Sequence, residues 1–261
     1  MIRTELEFAG QRWQVDLTMP YDLAVPLVFG GPQPSHFGAE PAEVEPMRAE
    51  GFIGDVARGG PCNVPIVRNN VHCNGTHTEC VGHLTAELTA IGDLVIAPGP
   101  AMLISIEVVD GQPIGGAALT EILERLPDAV DALVVRTLPN DLAKRERTYE
   151  VEEPPAWFSV DAMRAIVDAG IMHLVTDLPS VDAYGDPLLA GHRVFWTLPA
   201  DGVIANAGVA GRPYATITEL AFVPEEAADG LYWLELGVAR YLADAAPSRP
   251  ILYPLSPVSN G

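Results

Sequence analysis

Residues Val71 to Thr85 concentrate the chemically reactive side chains of this chain of 261 residues. Three of the six histidines and two of the three cysteines lie in this stretch, VHCNGTHTECVGHLT. In an extended segment, alternate side chains point to the same side. One side would then carry Cys73, Gly75, His77, Glu79, Val81 and His83, and the other would carry His72, Asn74, Thr76, Thr78 and Cys80. Because thiol, imidazole and carboxylate groups bind transition metals, the first side predicts a metal site. The simpler alternative is a polar loop whose histidines only form hydrogen bonds.

Composition narrows the function classes. The formal charge of −20 argues against binding to nucleic acids or anionic lipid surfaces. The N-terminal residues lack the apolar core of a signal peptide, and the chain has no apolar run of about eighteen residues. We therefore expect a cytoplasmic protein without a transmembrane helix. An odd number of cysteines does not make a disulfide framework, so Cys73 and Cys80 are expected to be thiols and Cys62 to be structural.

The elements that must position these residues are predicted from hydrophobic periodicity. A hairpin is expected from Thr4 to Phe8 and from Trp13 to Leu17, around Ala9-Gly10-Gln11. Further strands are expected at Leu94–Ala97, Met102–Val109, Ala132–Leu138, Met172–Thr176, Thr216–Val223, Leu231–Leu236 and Pro250–Tyr253, and helices at Ala117–Leu126 and Ser159–Ala169. This order has no strict βαβ repeat, which argues against a doubly wound Rossmann sheet. A Gly-rich phosphate loop and a Gly-x-Ser-x-Gly elbow are both absent from the sequence.

The stretch resembles the signature of the cyclase family of metal-dependent hydrolases, which includes kynurenine formamidase and isatin hydrolase. The family pattern is His-x-Gly-Thr-His-x-Asp-x-Pro-x-His. Four residues match it in place: Gly75, Thr76, His77 and His83. Three residues depart from it: Cys73 replaces the first His, Glu79 the Asp and Val81 the Pro.

Shorter similarities extend the resemblance over residues 14 to 254. They are Asp16-Leu17-Thr18 with Pro20, the Asp177–Asp182 passage, Gly191-His192-Arg193, Ile217–Leu220 and Arg249-Pro250-Ile251. The resemblance implies a mixed α/β fold of the swivelling β/α/β cyclase type, with a central mixed or barrel-like sheet and flanking helices. It implies one domain over residues 1–261, with the hairpin at 3–18 and a pocket loop at 20–62. His36 and Phe37 could line the pocket, although the simpler expectation for His36 is an exposed loop histidine. A homodimer or homotetramer is expected.

The resemblance also implies a ligand set and catalytic roles. The expected metal ligands are Cys73, His77, Glu79, His192 and Glu219, and the expected catalytic residues are His83, His192 and Glu219. His83 would pass a proton to the leaving nitrogen, and Asn74 and Thr76 would orient His77. Asp177 and Asp182 would hold loops or orient ligands, although they could also simply form turns.

The departures from the family pattern bear on which metal is bound and on how many ions the site holds. A thiolate at position 73 is softer than an imidazole, so zinc is expected and manganese is the alternative. Glu79 is one methylene longer than Asp, which predicts a mononuclear or asymmetric site.

The implied reaction is hydrolysis of a small non-peptide amide, formamide, imide or lactam C–N bond by metal-activated water. Two other hypotheses remain open at this stage. One is a metal-binding or ligand-binding relative that has lost turnover. The other is a thiol-dependent enzyme with Cys73 or Cys80 as the nucleophile and His77 or His83 as the base.

Overall fold

The computed structural model of the protein describes residues 3–202 and 206–258, and a closed sheet organises them. The strands of these residues are β1 (Arg3–Phe8), β2 (Gln11–Asp16), β3 (Tyr21–Asp22), β4 (Glu43–Pro46), β5 (Arg48–Ala49), β6 (Phe52–Ile53), β7 (Pro65–Arg68), β8 (His77–Glu79), β9 (Gly99–Glu107), β10 (Pro113–Ile114), β11 (Ala132–Leu138), β12 (Trp157–Phe158), β13 (His173–Thr176), β14 (Thr216–Glu219), β15 (Gly230–Val238) and β16 (Ala245–Pro257). The helices are α1 (Gly116–Leu123), α2 (Val160–Asp168) and α3 (Ala190–Phe195).

Seven strands form the closed sheet, in the order β16-β15-β9-β11-β13-β14-β8, and β8 pairs again with β16. Strands β9, β11, β13 and β14 run parallel, whereas the pairs that involve β8, β15 and β16 are antiparallel. The short strand β8 closes the sheet, because Glu79 lies opposite Ile217 of β14 and opposite Ala245 of β16. The predicted mixed α/β fold with a barrel-like sheet is therefore confirmed.

Helices α1 and α2 cover one face of this sheet. Leu119 of α1 and Met163 and Ile166 of α2 are fully buried in the same apolar cluster as Leu133 of β11. Helix α2 begins where the sequence predicts, since Oγ of Ser159 accepts a hydrogen bond from the backbone of Ala162 at 3.1 Å. These contacts hold the strands whose ends carry the candidate site.

Most of the predicted strands are present, with shifted ends. The hairpin forms from β1 and β2, and β2 pairs in turn with the C-terminal part of β16. The strand predicted at Leu94–Ala97 is wrong. That stretch is irregular, and Val95 is 97% exposed, because backbone pairing with β15 begins only at Gly99.

The extended conformation predicted for residues 71 to 85 is wrong outside β8. Residues 71 to 75 form a turn, in which the carbonyl of Asn70 accepts hydrogen bonds from the backbone of Cys73 (3.1 Å) and Asn74 (3.0 Å). Gly75 then adopts a φ of +151°, which L side chains rarely tolerate. The turn breaks the alternation of faces, so His72 is brought to the side of the sheet that carries Glu79.

Among the residues described, no helix is both long and apolar enough to cross a bilayer.

Candidate metal centre

The carboxylate of Glu79, at the end of β8, lies at the centre of a group of imidazoles. Glu79 is fully buried. Its Oε1 lies 2.9 Å from Nε2 of His192, and its Oε2 lies 3.2 Å from Nδ1 of His72 and 3.8 Å from Nδ1 of His83. Three different parts of the chain, namely the turn before β8, the turn after it and helix α3, supply these rings.

Strand pairing places a fourth histidine and a second glutamate beside this carboxylate. His77 lies opposite Glu219 in the β8–β14 ladder, and residues opposite each other in a ladder share a face. Nδ1 of His77 contacts the carbonyl of Gly75 at 3.0 Å, and its Nε2 lies 3.5 Å from Oε2 of Glu219. Oε1 of Glu219 accepts a hydrogen bond from the backbone of Val181 at 2.8 Å, which fixes this carboxylate against the loop after β13.

His192 is held by Asp182. Oδ2 of Asp182 lies 2.5 Å from Nδ1 of His192, and Asp182 also accepts a hydrogen bond from the backbone of Gly191. A Cβ at position 191 would lie 2.7 Å from Oδ1 of Asp182, so this close approach requires glycine. With its Nδ1 proton held by a carboxylate, the ring turns Nε2 towards Glu79.

Several buried atoms of this group lack a hydrogen-bond partner. They are Nε2 of His77, both carboxylate oxygens of Glu79 and Nε2 of His192. The 2.9 Å contact between His192 and Glu79 does not meet hydrogen-bond geometry. Buried polar atoms without partners are costly, and nitrogen and oxygen donors that converge in this way match the preferences of zinc or manganese. The residues present therefore fit a divalent cation.

The electrostatics of the group agree with this interpretation. Burial opposes ionisation of Glu79, but the imidazoles of His83 and His192 hold the pKa of its carboxyl well below the usual range. Burial likewise opposes protonation of His192, but the carboxylates of Glu79 and Asp182 raise its pKa well above the usual value. Protonated imidazole thus supplies the positive charge that a cation would otherwise bring.

A second layer consists of His72, His83 and Asp244. Oδ2 of Asp244 lies 2.9 Å from Nε2 of His72 and 3.1 Å from Nδ1 of His83. Burial opposes protonation of His72, but the neighbouring carboxylates of Asp244 and Glu79 raise its pKa to about 10. His72 and Asp244 also line a cavity of about 770 Å³, together with Glu40, Arg68 and Tyr241.

The structure collects most of the predicted site residues in one place. Three groups of described residues bring metal-binding donor atoms within 4.8 Å of one another: His72, His77 and Glu79; Glu79, His83 and His192; and His72, His83 and Asp244. Neither Cys73 nor Glu219 belongs to these groups. Glu219 nevertheless contacts His77 and His192 at 3.5 and 3.7 Å, and the buried thiol of Cys73 lies close enough to Glu219 to feel its charge.

His72 and Asp244 were missed by the sequence reasoning. The strict alternation of an extended strand assigns His72 to the wrong face. The signal that could have identified it is its position immediately before Cys73, a predicted metal ligand. Asp244 lies in a loop far along the sequence, and only the pairing of β16 with β8 brings it close. No local pattern points to it.

The residues predicted to orient His77 have other roles. Thr76 donates to the carbonyl of Leu220 at 2.6 Å and accepts from the backbone of Val25 at 2.8 Å. The side chain of Asn74 contacts the backbone of Asn70 at 2.7 Å and of Glu40 at 3.1 Å. Both side chains are thus engaged by neighbouring segments of the chain, and these bonds do not include the His77 ring.

The two aspartates that follow β13 have different functions. Asp182 orients His192, as one of the two predictions for it stated. Asp177 holds a loop, since its fully buried carboxylate accepts hydrogen bonds from the backbone of Thr137 at 3.0 Å and from Nζ of Lys144 at 2.9 Å. Burial raises the pKa of Asp177 although Lys144 opposes the shift.

The two residues predicted to line the pocket differ in exposure. The expectation of an exposed loop histidine is wrong for His36, which is 1% exposed and whose ring nitrogens both lack hydrogen-bond partners. Its ring lies among the rings of Phe37, Tyr149 and Tyr184, with centroids 3.9 to 6.1 Å away. Burial, with a smaller contribution from His77, lowers the pKa of His36 to about 4. Phe37 is 51% exposed.

The surroundings of the cysteines do not favour a thiolate nucleophile. Burial, assisted by the charge of Glu219, raises the pKa of the Cys73 thiol to about 11. Burial likewise raises the pKa of Cys80 to about 11, and its Sγ donates to the carbonyl of Thr89 at 3.1 Å. Catalytic cysteines instead have lowered pKa values.

Comparisons with known proteins agree with this geometry. The family described as Cyclase matches residues 15–183, more than half of the chain. A solved structure described as a "predicted metal-dependent hydrolase from Bacillus stearothermophilus" is 15% identical, with a TM-score of 0.62, and the match covers 90% of this chain and 98% of that one.

Two isatin hydrolases also have this fold. Isatin hydrolase A from Labrenzia aggregata is 13% identical, with a TM-score of 0.61 and coverage of 90% of this chain and 93% of that one. Isatin hydrolase A from Ralstonia solanacearum is 14% identical, with a TM-score of 0.61 and coverage of 91% of each chain. No protein with a curated description matches the sequence.

Proposed function

Because this chain belongs to the Cyclase family, we propose that it is a metal-dependent hydrolase that cleaves a small non-peptide C–N bond with water. The substrate would be an amide, formamide, imide or lactam. The observation that carries the proposal is the convergence of buried, unpartnered donor atoms from His77, Glu79 and His192. The fold that the chain shares with isatin hydrolases supports the lactam class in particular.

In the proposed site, His77, Glu79 and His192 would hold a divalent cation, and Cys73 and Glu219 would complete the predicted ligand set. Zinc fits the mixture of nitrogen, oxygen and sulfur donors, and manganese is the alternative. A mononuclear or asymmetric site is proposed, and it is supported by the different surroundings of the two Glu79 oxygens, one of which faces His192 and the other His72. When bound, such a cation supplies a Lewis acid that polarises a carbonyl group and makes hydroxide available at neutral pH.

The surrounding residues prepare the site for proton transfer. Asp182 fixes the tautomer of His192, so that Nε2 is available to the cation. His83 contacts Glu79 and has one quarter of its side chain exposed, so it can exchange a proton with a bound substrate. In the proposed reaction His83 takes a proton from the attacking water and delivers it to the nitrogen that leaves. His72 contacts Glu79 and Asp244 contacts His83, and both His72 and Asp244 line a cavity of about 770 Å³. This cavity is the proposed route by which a small molecule approaches the site.

Metal analysis followed by activity assays tests the proposal. The purified protein is expected to contain a divalent cation, and His77→Ala is expected to lose it. The wild type, loaded with zinc or manganese, is then assayed with isatin, an aromatic formamide and a cyclic imide, and a chelator should abolish turnover. Bound metal without turnover of any of the three substrates would instead indicate a relative that has lost catalysis. A protein without bound metal, even after incubation with zinc, would refute the metal site.

A further inference from the structure

Asp244 contacts two histidines through a single oxygen. Oδ2 accepts a hydrogen bond from Nε2 of His72 at 2.9 Å and another from Nδ1 of His83 at 3.1 Å. About a third of the Asp244 side chain is exposed, and about a quarter of each ring. His72 and Asp244 line the cavity, and His83 lies between Asp244 and the buried Glu79.

The barrel itself fixes the position of Asp244. Ala245, the next residue, lies opposite Glu79 in the β8–β16 ladder, and the carbonyl of Asp244 accepts a hydrogen bond from the backbone of Cys80 at 3.0 Å. The carboxylate is thus anchored directly beside the strand that carries His77 and Glu79. Its position follows from the closure of the sheet and does not depend on a mobile loop.

Hydrogen bonding distinguishes this outer layer from the inner donors. Around Glu79, the buried donor atoms of His77 and His192 lack partners, as expected of atoms that ligate a cation. The ring atoms that face Asp244 have hydrogen-bond partners at ordinary distances. The outer layer therefore has the character of a hydrogen-bonded support and not of a second cation site.

We propose that Asp244 is a positioning residue that holds His72 and His83 together, so that His72 presents Nδ1 to the cation site and His83 keeps Nε2 free for proton transfer. In this arrangement His72 adds an imidazole next to position 73, where the chain has a cysteine. This inference rests on the proposed function and adds two residues to it.

The chemistry follows from the tautomers. A carboxylate that accepts from one ring nitrogen leaves the lone pair of a neutral imidazole on the other nitrogen. For His72 the other nitrogen is Nδ1, which lies 3.2 Å from Oε2 of Glu79. For His83 it is Nε2. Carboxylates that orient metal-binding histidines in this way typically change metal affinity by about 10- to 100-fold.

Zinc affinity provides the first test. The dissociation constant for zinc is measured by competition with a chelating dye for the wild type, Asp244→Asn, Asp244→Glu and the control Asp93→Asn. Asp93 is exposed, and it lies in the turn at residues 91 to 93, which is hydrogen-bonded to the carbonyl of Ala243, next to Asp244. We expect Asp244→Asn to weaken zinc binding by about 10- to 100-fold, Asp244→Glu to restore part of the loss, and the control to bind as the wild type does. Urea unfolding of the metal-free proteins, in zinc-free buffer at the pH of the titration, checks that each variant is folded when its zinc affinity is measured.

Histidine tautomers provide a second test that needs no activity. In long-range proton–nitrogen NMR spectra of the metal-free protein, the neutral ring of His83 should carry its proton on Nδ1. In Asp244→Asn the proton should move to Nε2, and in Asp93→Asn it should stay on Nδ1.

The outcomes separate this inference from the proposed function. If the wild type binds no zinc, the proposed function fails, whatever the tautomers show. If the wild type binds zinc and Asp244→Asn binds it equally well, the positioning role is refuted. A fall from two zinc ions per chain to one in Asp244→Asn would also refute it, because Asp244 would then be a ligand of a second cation.

Discussion

Oδ2 of Asp182 and Nδ1 of His192 lie 2.5 Å apart, and this contact joins the loop after β13 to helix α3. The opposite nitrogen of the ring lies 2.9 Å from Oε1 of Glu79 and has no hydrogen-bond partner. A carboxylate, an imidazole and an unsatisfied carboxylate therefore stand in a row. This is the arrangement expected around a metal-binding histidine.

Asp182→Asn is expected to weaken zinc binding by about 10- to 100-fold, because asparagine keeps the shape of the side chain but loses the charge that fixes the ring. Calorimetric titration of the metal-free protein with zinc measures the change. Asp168→Asn, at an exposed position at the end of α2, is the matched control. Equal affinities of Asp182→Asn and the wild type would show that the contact does not support a ligand.

Cys73→Ser is expected to reduce the preference for zinc over manganese, because a hydroxyl is a harder ligand than a thiolate. The dissociation constant for manganese divided by that for zinc should fall by about tenfold or more, which corresponds to about 1.4 kcal/mol or more of selectivity. Cys62→Ser, at an exposed position, is the control. An unchanged ratio would show that Cys73 is not a metal ligand, and His72 would then be the candidate ligand from this part of the chain.

Zinc binding is expected to release protons at pH 7. The pKa of His72 is raised to about 10 and that of His192 well above its usual value, so both rings are protonated before a cation arrives. A ligand must lose its proton to bind, so affinity should increase by about tenfold per pH unit for each proton released. Titrations in buffers of different ionisation enthalpy count these protons. A binding enthalpy that does not depend on the buffer would contradict the expectation.

His36 is expected to destabilise the protein in acid. Its pKa is lowered from 6.5 to about 4 by burial, so the unfolded state binds a proton that the native state does not bind. The free energy of unfolding should therefore be unaffected by His36 above about pH 6.5, and it should fall by roughly 3 kcal/mol as the pH decreases towards 4.

Urea unfolding at pH 7 and pH 4.5 measures this effect of His36. Two variants without the titrating ring, His36→Phe and His36→Leu, should lose less free energy of unfolding between these pH values than the wild type loses. An equal loss in all three proteins would assign the acid sensitivity to other groups.

Leu133→Ala is expected to lower the free energy of unfolding by about 2–5 kcal/mol, because this fully buried side chain of β11 packs against α1 and α2. Leu142→Ala, at a position that is 65% exposed, should change it by less than about 0.5 kcal/mol. Equal effects of the two substitutions would mean that the cluster around Leu133 is not the core.

The sequence by itself determined the elements whose signals are local. The strand at Ala132–Leu138 is found with the predicted ends, because a run of β-branched and apolar residues suits a strand that is buried on both faces. Helix α2 has the predicted cap at Ser159 because capping depends only on neighbouring residues. The Gly-Thr-His motif and its family resemblance located β8 and the residues near Glu79.

Only the tertiary structure decided which donors face one another. The turn at residues 71 to 75 depends on hydrogen bonds to Asn70 and on the backbone of Gly75, and it moved His72 to the site against the predicted alternation. Asp244 reaches the site because β16 closes the barrel on β8. Side-chain alternation describes a regular strand, whereas contacts between distant segments depend on how the whole sheet closes. A single sequence without its fold does not contain that information in any local pattern.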